Sequence, residues 1–541
     1  MAHPRNKLTI IGAGIIGALE AYYAYLSAKK AGEQIRVTIL EKHATVLEST
    51  SSNIVPSLTP DEILSVVPRG KQLVEKLKLL FSEPGGIRVD DVPGVNDSAI
   101  ADEFKEQVQL YSEDEAAHNL RTQALLDMGK RSMDFWQELF DNADDELKLI
   151  LTESNFNPCR EPRNSETQLR DGYRIDLIYN VPNAKSKALS MQADYEKLGY
   201  TNCKILSPDE VQKLDPILAK FCASHAERNE AGELQWHNDA VALWRPGGCL
   251  DSNVFLPKFF EYLENKMGKY QHADGSVRDC FQIKYERQVQ EVILDDSNNR
   301  LRVTGLKFFG NTVITSDKNN YLRKDYVFCP GEAVGTLRSL DFDEPAYAGF
   351  AGAVLKLVIP VPADKIPEYN TFNHCMEVHQ EGVVLAWQAR FHNNNIIIGV
   401  GGTKAFYADK LPSAEHDFAR NRNLLQLNMI NNVLPDYMSL ALGRDTHGQQ
   451  LTEHDLAELQ AKGIATRWVG TRAVAYDGFP TLGRLFKAGR AVENGRNTTH
   501  LGSGGVSFAP AAVLASRAAD EAKSDELTQN VLQYSNPSRR M

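Results

Sequence analysis

No stretch of the chain approaches the ~18–20 consecutive apolar residues that a membrane-spanning helix needs, so no transmembrane segment is expected. A basic stripe is also missing. The net charge is -11, and the one dense run of lysines, Lys71–Lys78, is interrupted by Glu75 and reads as a solvated helix face, which argues against nucleic acid as a partner. The seven cysteines are scattered, with no Cys-x-x-Cys pair and no Cys/His group at zinc spacing. That excludes a disulfide framework and leaves no metal site to expect, and it favours reduced thiols and a cytoplasmic location. With 37 glycines and 23 prolines in 541 residues, there is no Gly/Pro excess of the kind that marks disorder.

What remains is a large, ordinary globular composition, long enough for two or more domains around separate cores. Leu8–Ile11 is a short apolar run, Ile15–Lys30 has a helical pattern free of proline, and Ile35–Leu40 is a β-branched strand ending at Glu41. This is a β-α-β unit in about 35 residues. Further along, Asp114–Phe140 reads as a helix. Ser207-Pro-Asp-Glu210 opens another, with serine as cap, proline at the first helical position and glutamate closing a capping box. A helix over Asn253–Lys266 precedes short strands at Gln282–Gln288, Glu291–Leu294, Leu301–Phe309 and Tyr326–Cys329, read together as a β-meander. Strands at Gly352–Ile359, Gly382–Arg390 and Asn395–Val400 suggest a separate sheet. Ser413–Gln460 is helical, and Pro510–Lys523 is an alanine-rich helix.

Gly12-Ala-Gly14-Ile15-Ile16-Gly17 lies between the first strand and its helix. The first glycine permits a tight turn, the second a close approach of backbone to a pyrophosphate, and the third close packing of helix on strand, while the helix N-terminus receives the phosphate charge. Glu41 closes the second strand 24 residues after Gly17, where a carboxylate accepts ribose hydroxyls. The alternative is a purely structural β-α-β turn.

The residues that follow resemble the D-amino acid oxidase family of flavoproteins, which includes glycine oxidase, sarcosine oxidase and D-amino acid dehydrogenases. Ile39-Leu-Glu41-Lys42 and the loop Ser49-Thr-Ser51-Ser52-Asn53 resemble the family's second strand and the serine-rich segment that crosses the flavin phosphates. The strand ending at Val289 would set backbone against adenine, and Val327-Phe-Cys-Pro-Gly331 resembles the strand below the dinucleotide, with Pro330 where the family has a small residue. The closing block is the most specific: Trp468-Val-Gly-Thr-Arg472, Asp477-Gly-Phe-Pro480, Leu482-Gly483, then Leu501-Gly502-Ser-Gly504-Gly505-Val506 and Ala509-Pro510. In that resemblance the glycine-rich loop presents backbone N–H groups and a helix dipole to the flavin's pyrimidine edge. Arg472 resembles the arginine that grips the substrate carboxylate, a task suited to a planar fork. An ion pair with Asp477 is its structural alternative. His237, His374 and His500 lie near these segments and are read as structural.

The resemblance implies an α/β protein: an FAD-binding Rossmann-like domain of the glutathione-reductase type, drawn from residues 1–85, 238–345 and 465–541, and a mixed-sheet α+β substrate domain from 86–237 and 346–464. It implies oxidation of the C–N bond of a small amino acid or amine by hydride transfer to FAD, with oxygen or a quinone taking the electrons. A flavoenzyme acting on a 2-hydroxy acid, and a non-catalytic flavin-binding protein, are the alternatives. Residues 86–200 and 405–464 depart from the family pattern.

Overall fold

The computed structural model describes residues 6–53, 55, 57–59, 103, 106–107, 115–156, 173–197, 199–200, 202–271, 275–310, 313–315, 323–331, 336–345, 347–366, 373–380, 383–402, 405–407, 413–415, 417–499 and 505–518. The β-α-β unit forms as its pattern dictates: strand Asn6–Ile11, helix Ile15–Lys30 and strand Ile35–Leu40. The helix buries Ile15, Ile16, Leu19 and Tyr22 and ends on Lys29 and Lys30, whose charge complements its C-terminal dipole. Both strands bury their last four residues, as expected where helices or loops cover both faces.

Two large sheets organise the molecule. The first has six strands in the order Phe281–Lys284, Ile35–Leu40, Asn6–Ile11, Arg323–Phe328, Arg490–Thr499 and Thr481–Lys487. All neighbours are parallel except the last pair, which is an antiparallel hairpin. Helices Ile15–Lys30, Glu115–Asp141, Ser252–Met267 and Gly505–Ala518 pack on it around one apolar core that includes Trp136, Phe255 and Phe508.

The second sheet has nine strands in the order Ala405–Tyr407, Tyr347–Pro360, Asn395–Gly401, Val383–His392, Asn373–Gln380, Tyr173–Ile178, Val241–Pro246 and Lys204–Leu206, with Ala465–Ala475 also paired to Tyr347–Pro360. Alternation gives this sheet two unlike faces. Leu355, Leu357, Val378, Trp387, Ile396 and Ile398 pack against helices Asp417–Val433, Pro435–Leu442 and Glu453–Ala461 in a second core. The opposite face carries Arg174, Asp176, Glu377, Arg390, Gly399, Gly401, Gly352 and Arg472, and Arg174 and Arg390 on it bond Ser57 and Asp251, residues next to the helices that pack on the six-stranded sheet. Val55 packs there against Gly401, where a Cβ would lie 2.8 Å from its Cγ2. Strands Val241–Pro246 and Ala465–Ala475, expected with the cofactor segments, are members of this nine-stranded sheet.

Three further expectations are adjusted. The meander is a three-stranded antiparallel sheet of Val289–Asp295, Arg302–Phe308 and Val313–Thr315, whereas Phe281–Lys284 and Arg323–Phe328 join the parallel sheet. The expected 282–288 strand stops at Lys284 because the chain turns over Glu41: Glu286 takes φ +55, its N–H donates to the His43 carbonyl, and Arg287 N–H donates to the Glu41 carbonyl at 2.7 Å. The last helix begins at Gly505, five residues before Pro510. Pro510 lacks the N–H that would bond the Val506 carbonyl four residues back. That carbonyl instead accepts the Trp136 indole N–H at 3.2 Å, which removes the usual penalty for an unpaired group. The expected helix Ser207-Pro-Asp-Glu210 forms with its capping box complete. Among the described residues, no helix is long and apolar enough to cross a membrane.

Candidate cofactor and substrate site

The turn from Asn6–Ile11 into its helix is built by glycines, each for a different contact. Gly12 has φ +107, and a Cβ there would lie 2.3 Å from the Cys329 carbonyl oxygen. At Gly17 a Cβ would lie 2.1 Å from the Gly12 carbonyl oxygen. These two glycines therefore serve the packing of strand, turn and helix. Gly14 differs: its nearest neighbour is the Ser51 hydroxyl, 3.0 Å from an added Cβ. Ser51 Oγ accepts the Ile15 N–H at 3.2 Å, so it occupies the helix N-terminus that the sequence assigns to phosphate. Ile16 is buried behind the same turn.

Glu41 is buried and also tied to this turn. One carboxylate oxygen accepts the Ala13 N–H at 2.8 Å and the other accepts the His43 N–H at 3.0 Å. A carboxylate has about four acceptor positions, so both oxygens retain capacity for hydroxyl donors. Lys42 beside it is exposed. The serine-rich segment forms a short helix, Thr50–Asn53, fixed by its own side chains: Ser52 Oγ donates to the Val46 carbonyl at 2.8 Å, and Asn53 Nδ2 donates to Leu47 and Ser49 carbonyls. Helix Ser252–Met267 holds it from the other side, since Ser252 Oγ donates to the Ser51 carbonyl and Asn253 Nδ2 to the Ser52 carbonyl at 3.1 Å. Val289 starts the three-stranded sheet, paired with Phe308, and Gly331 takes φ +58 just beyond the parallel strand Arg323–Phe328. Gly505 and Val506, expected in a loop, are the first residues of the last helix, while Gly502, Gly504 and His500 lie outside the described residues.

Arg472 sits on strand Ala465–Ala475 opposite Phe350. Its guanidinium lies across Gly352, where a Cβ would be 2.2 Å from Nη1. The Trp468 ring lies across Gly470 in the same way, and Gly470 is the cross-strand partner of Gly352. Two flat side chains thus converge on a glycine pair that leaves them room. Asp477 is buried, accepts the Phe479 N–H at 3.0 Å and pairs with Arg121 at 3.7 Å.

The sequence reading missed a charged group on the same face of the nine-stranded sheet. Arg174 and Arg245 both contact Asp176 and Glu377, and His379 Nε2 lies 3.6 Å from Asp176. Burial alone raises the Asp176 carboxyl, but Arg245 and Arg174 reverse this and hold it well below the usual carboxylate range. Asp176, Glu377 and His379 are close enough to ligate a cation. The two guanidiniums already balance the two carboxylates, so the group is built as an ion network. In the sequence, Tyr173-Arg-Ile-Asp-Leu-Ile178 alternates charge with apolar residues, a pattern shared with solvated strand faces. Also missed were Asn497, Thr498 and Thr499, at the C-terminal end of their parallel strand, whose side-chain polar atoms are buried without a hydrogen-bond partner.

No family model matches the chain, and no curated protein matches it by sequence. Solved structures do match. Glycine oxidase from Bacillus cereus superposes with a TM-score of 0.54 at 13% identity, over 99% of this chain and 99% of that one. Glycine oxidase from Geobacillus kaustophilus gives 0.52 at 12%, over 99% and 100%. L-proline dehydrogenase from P. horikoshii gives 0.50 at 13%, over 99% and 98%. Across its length the chain has the fold of glycine oxidase and L-proline dehydrogenase, the fold implied by its resemblance to the D-amino acid oxidase family.

Proposed function

We propose that the protein is an FAD-dependent oxidoreductase that oxidises the C–N bond of a small, carboxylate-bearing amino acid or amine to an imine. The observation that carries this reading is Arg472, laid flat over Gly352 on the face of the nine-stranded sheet that turns toward the Gly12–Gly17 unit. The residues present fit the cofactor. Gly14 opposes only a serine hydroxyl, Glu41 retains acceptor capacity, and the orphaned atoms of Asn497, Thr498 and Thr499 lie at the strand ends where open α/β sheets bind ligands. Four buried polar atoms left unpaired would each cost about 1–3 kcal/mol, a cost that a polar ligand offsets.

When bound, FAD accepts the hydride equivalent that leaves the substrate α-carbon as the amine becomes an imine. Gly12–Gly17, Glu41, Lys42, Ser51–Asn53, Val289, Gly331 and the Gly502–Val506 segment are the residues assigned to hold it. Arg472 binds the substrate carboxylate through two parallel N–H donors and so fixes the position of the α-hydrogen. No side-chain base is required for a neutral amine. The segments around the six-stranded sheet form the cofactor unit, and the nine-stranded sheet with its helices covers the substrate. Oxygen or a quinone then takes the electrons.

The test is anaerobic bleaching of the FAD-loaded protein by D-amino acids, glycine, N-methyl amino acids, proline and 2-hydroxy acids. Bleaching with amine release is expected for an amino acid. Bleaching by hydroxy acids alone would replace the substrate class, and a chain that takes up no FAD would end the proposal. In Arg472→Lys the charge stays but the planar fork is lost, so flavin content should hold while kcat/KM falls roughly 30- to several-thousand-fold, equivalent to about 2–5 kcal/mol.

A further inference from the structure

The buried ion network on the nine-stranded sheet does more than neutralise itself. Arg174 is almost wholly buried, and beyond Asp176 and Glu377 its Nη1 donates to Ser57 Oγ at 3.0 Å. Ser57 belongs to the two-residue strand Ser57–Leu58, which pairs with Gly248–Cys249. The Arg174 stem also lies against Gly247, where a Cβ would be 2.5 Å from its Cδ, so this one side chain touches Ser57 in one strand of the small ladder and the residue that leads into the other. From Ser57 the chain of contacts continues. Ser507 Oγ donates to the Ser57 carbonyl at 3.2 Å and accepts the Thr59 N–H at 3.1 Å. Ser507 is the third residue of the Gly505–Ala518 helix, and its turn is gripped from the far side by Ser132 Oγ on the Ser507 carbonyl and by the Trp136 indole on the Val506 carbonyl. Arg174, Ser57, Thr59, Ser132, Trp136, Val506 and Ser507 are all buried.

We propose that Arg174 is a positioning residue: through Ser57 and Ser507 it holds the N-terminal turn of the last helix in register with the sheet that carries Arg472. The geometry has a reason. The helix N-terminus and Arg472 stand on different sheets, and apolar packing between sheets tolerates sliding, whereas a directed charge-assisted hydrogen bond does not. A second arginine on the same face acts in parallel at the other end of the site. Arg390 pairs at 2.5 Å with Asp251, which caps the helix whose Ser252 and Asn253 hold the Ser51–Ser52 segment. A buried ion network is a weak source of net stability, and specifying one arrangement is its better-attested use.

The functional meaning of this register rests on the FAD reading above, but the contact chain is testable without cofactor. Ser57→Ala removes the acceptor for Arg174 while keeping the Ser57 carbonyl, and Arg174→Lys keeps the charge but loses the fork. In cofactor-free protein, amide exchange at Thr59 and in the first turns of the Gly505–Ala518 helix should quicken about ten- to a hundredfold in both variants, while the strands of the second core exchange as in wild type. Unchanged exchange at those sites overturns the proposal, as does an increase spread evenly through both sheets, which would mark a merely structural contribution. Arg174→Lys also disturbs the contacts with Asp176 and Glu377, so Ser57→Ala decides where the two disagree. With FAD loaded, kcat should fall about tenfold in Ser57→Ala with KM for the carboxylate substrate near wild type, because orientation is lost and Arg472 is not. A wild-type chain that refuses FAD would end the functional reading, and the exchange result alone would then decide the contact chain.

Discussion

Replacing each fingerprint glycine by alanine separates its folding role from its ligand role. Gly12→Ala meets two obstacles: φ +107, which is strained for an L-residue, and a Cβ 2.3 Å from the Cys329 carbonyl oxygen. A left-handed backbone costs roughly 1–2 kcal/mol, and overpacking against rigid neighbours typically adds about 1–3 kcal/mol. The neighbour cannot yield cheaply, since it is backbone and Cys329 N–H also donates to the Ile11 carbonyl at 2.8 Å. The expected loss is therefore about 2–5 kcal/mol, a large share of the 5–15 kcal/mol typical of folded proteins. Gly17→Ala is expected to behave likewise, with a Cβ 2.1 Å from the Gly12 carbonyl oxygen but no positive φ. Gly14→Ala is the contrast. Its Cβ lies 3.0 Å from a serine hydroxyl that can rotate away, so destabilisation should stay under about 1 kcal/mol while FAD retention falls sharply.

Urea denaturation of the cofactor-free variants measures the first quantity, with an unchanged m-value required for the comparison. FAD retained through gel filtration measures the second. The reasoning fails if Gly12→Ala and Gly14→Ala lose equal stability, or if Gly14→Ala keeps a full complement of flavin.

Gly352→Ala should shift the Arg472 guanidinium without harming the fold, because the obstacle is the far end of a flexible side chain; turnover of carboxylate substrates should fall by about a hundredfold with stability within about 1 kcal/mol of wild type, and unchanged kinetics would remove Arg472 from the site. Ser207→Ala removes the side-chain half of a complete capping box and should cost about 1 kcal/mol in urea denaturation, with no change in activity. Asp176 has a folded carboxyl held below its unfolded value, so its contribution is complete above about pH 4 and is lost as pH falls from there through the folded value. Asp176→Asn should therefore be about 3–5 kcal/mol less stable than wild type at neutral pH, with a gap that narrows in acid; a gap constant down to pH 2 would refute this.

The first β-α-β unit was legible, its helix and second strand to the residue and its first strand from two residues inside its start, because its signals are local: apolar runs, a proline-free helix and glycines at the turn. The capping box at Ser207 was legible for the same reason. Boundaries failed where tertiary contacts replaced local rules. Pro510 normally marks a helix start, yet the helix extends back to Gly505 since Trp136, from a distant segment, supplies the hydrogen bond that proline cannot. Strand Phe281–Lys284 ends early since its successor must cross Glu41. The pattern of sheet membership was hidden as well. Gln282–Gln288 and Leu301–Phe309 look alike as sequence, and only the parallel pairing with Ile35–Leu40 separates the first from the meander.

The charged network was illegible for a deeper reason. Arg174 and Asp176 alternate with apolar neighbours as residues on a solvated strand face do, so their sequence pattern reads as surface. That face is instead buried under the Ser57–Leu58 ladder and helix Ala184–Lys197, and Lys187 on that helix has its amine pushed down by burial, against the raising effect of Glu377 and Asp176. A face with four arginines, Arg174, Arg245, Arg390 and Arg472, would be a poor choice for stability alone, since well-packed apolar residues there would serve as well or better. Its geometry makes sense if two units must meet in one register only. Through Ser57, Arg174 is linked to the helix that opens at Gly505, Arg390 reaches the cap of the helix that holds Ser51 and Ser52, and Arg472 lies across Gly352 on the same face. Sliding one sheet over the other would part Arg174 from Ser57 and Arg390 from Asp251, leaving buried guanidinium donors unpaired, whereas an apolar face would lose far less.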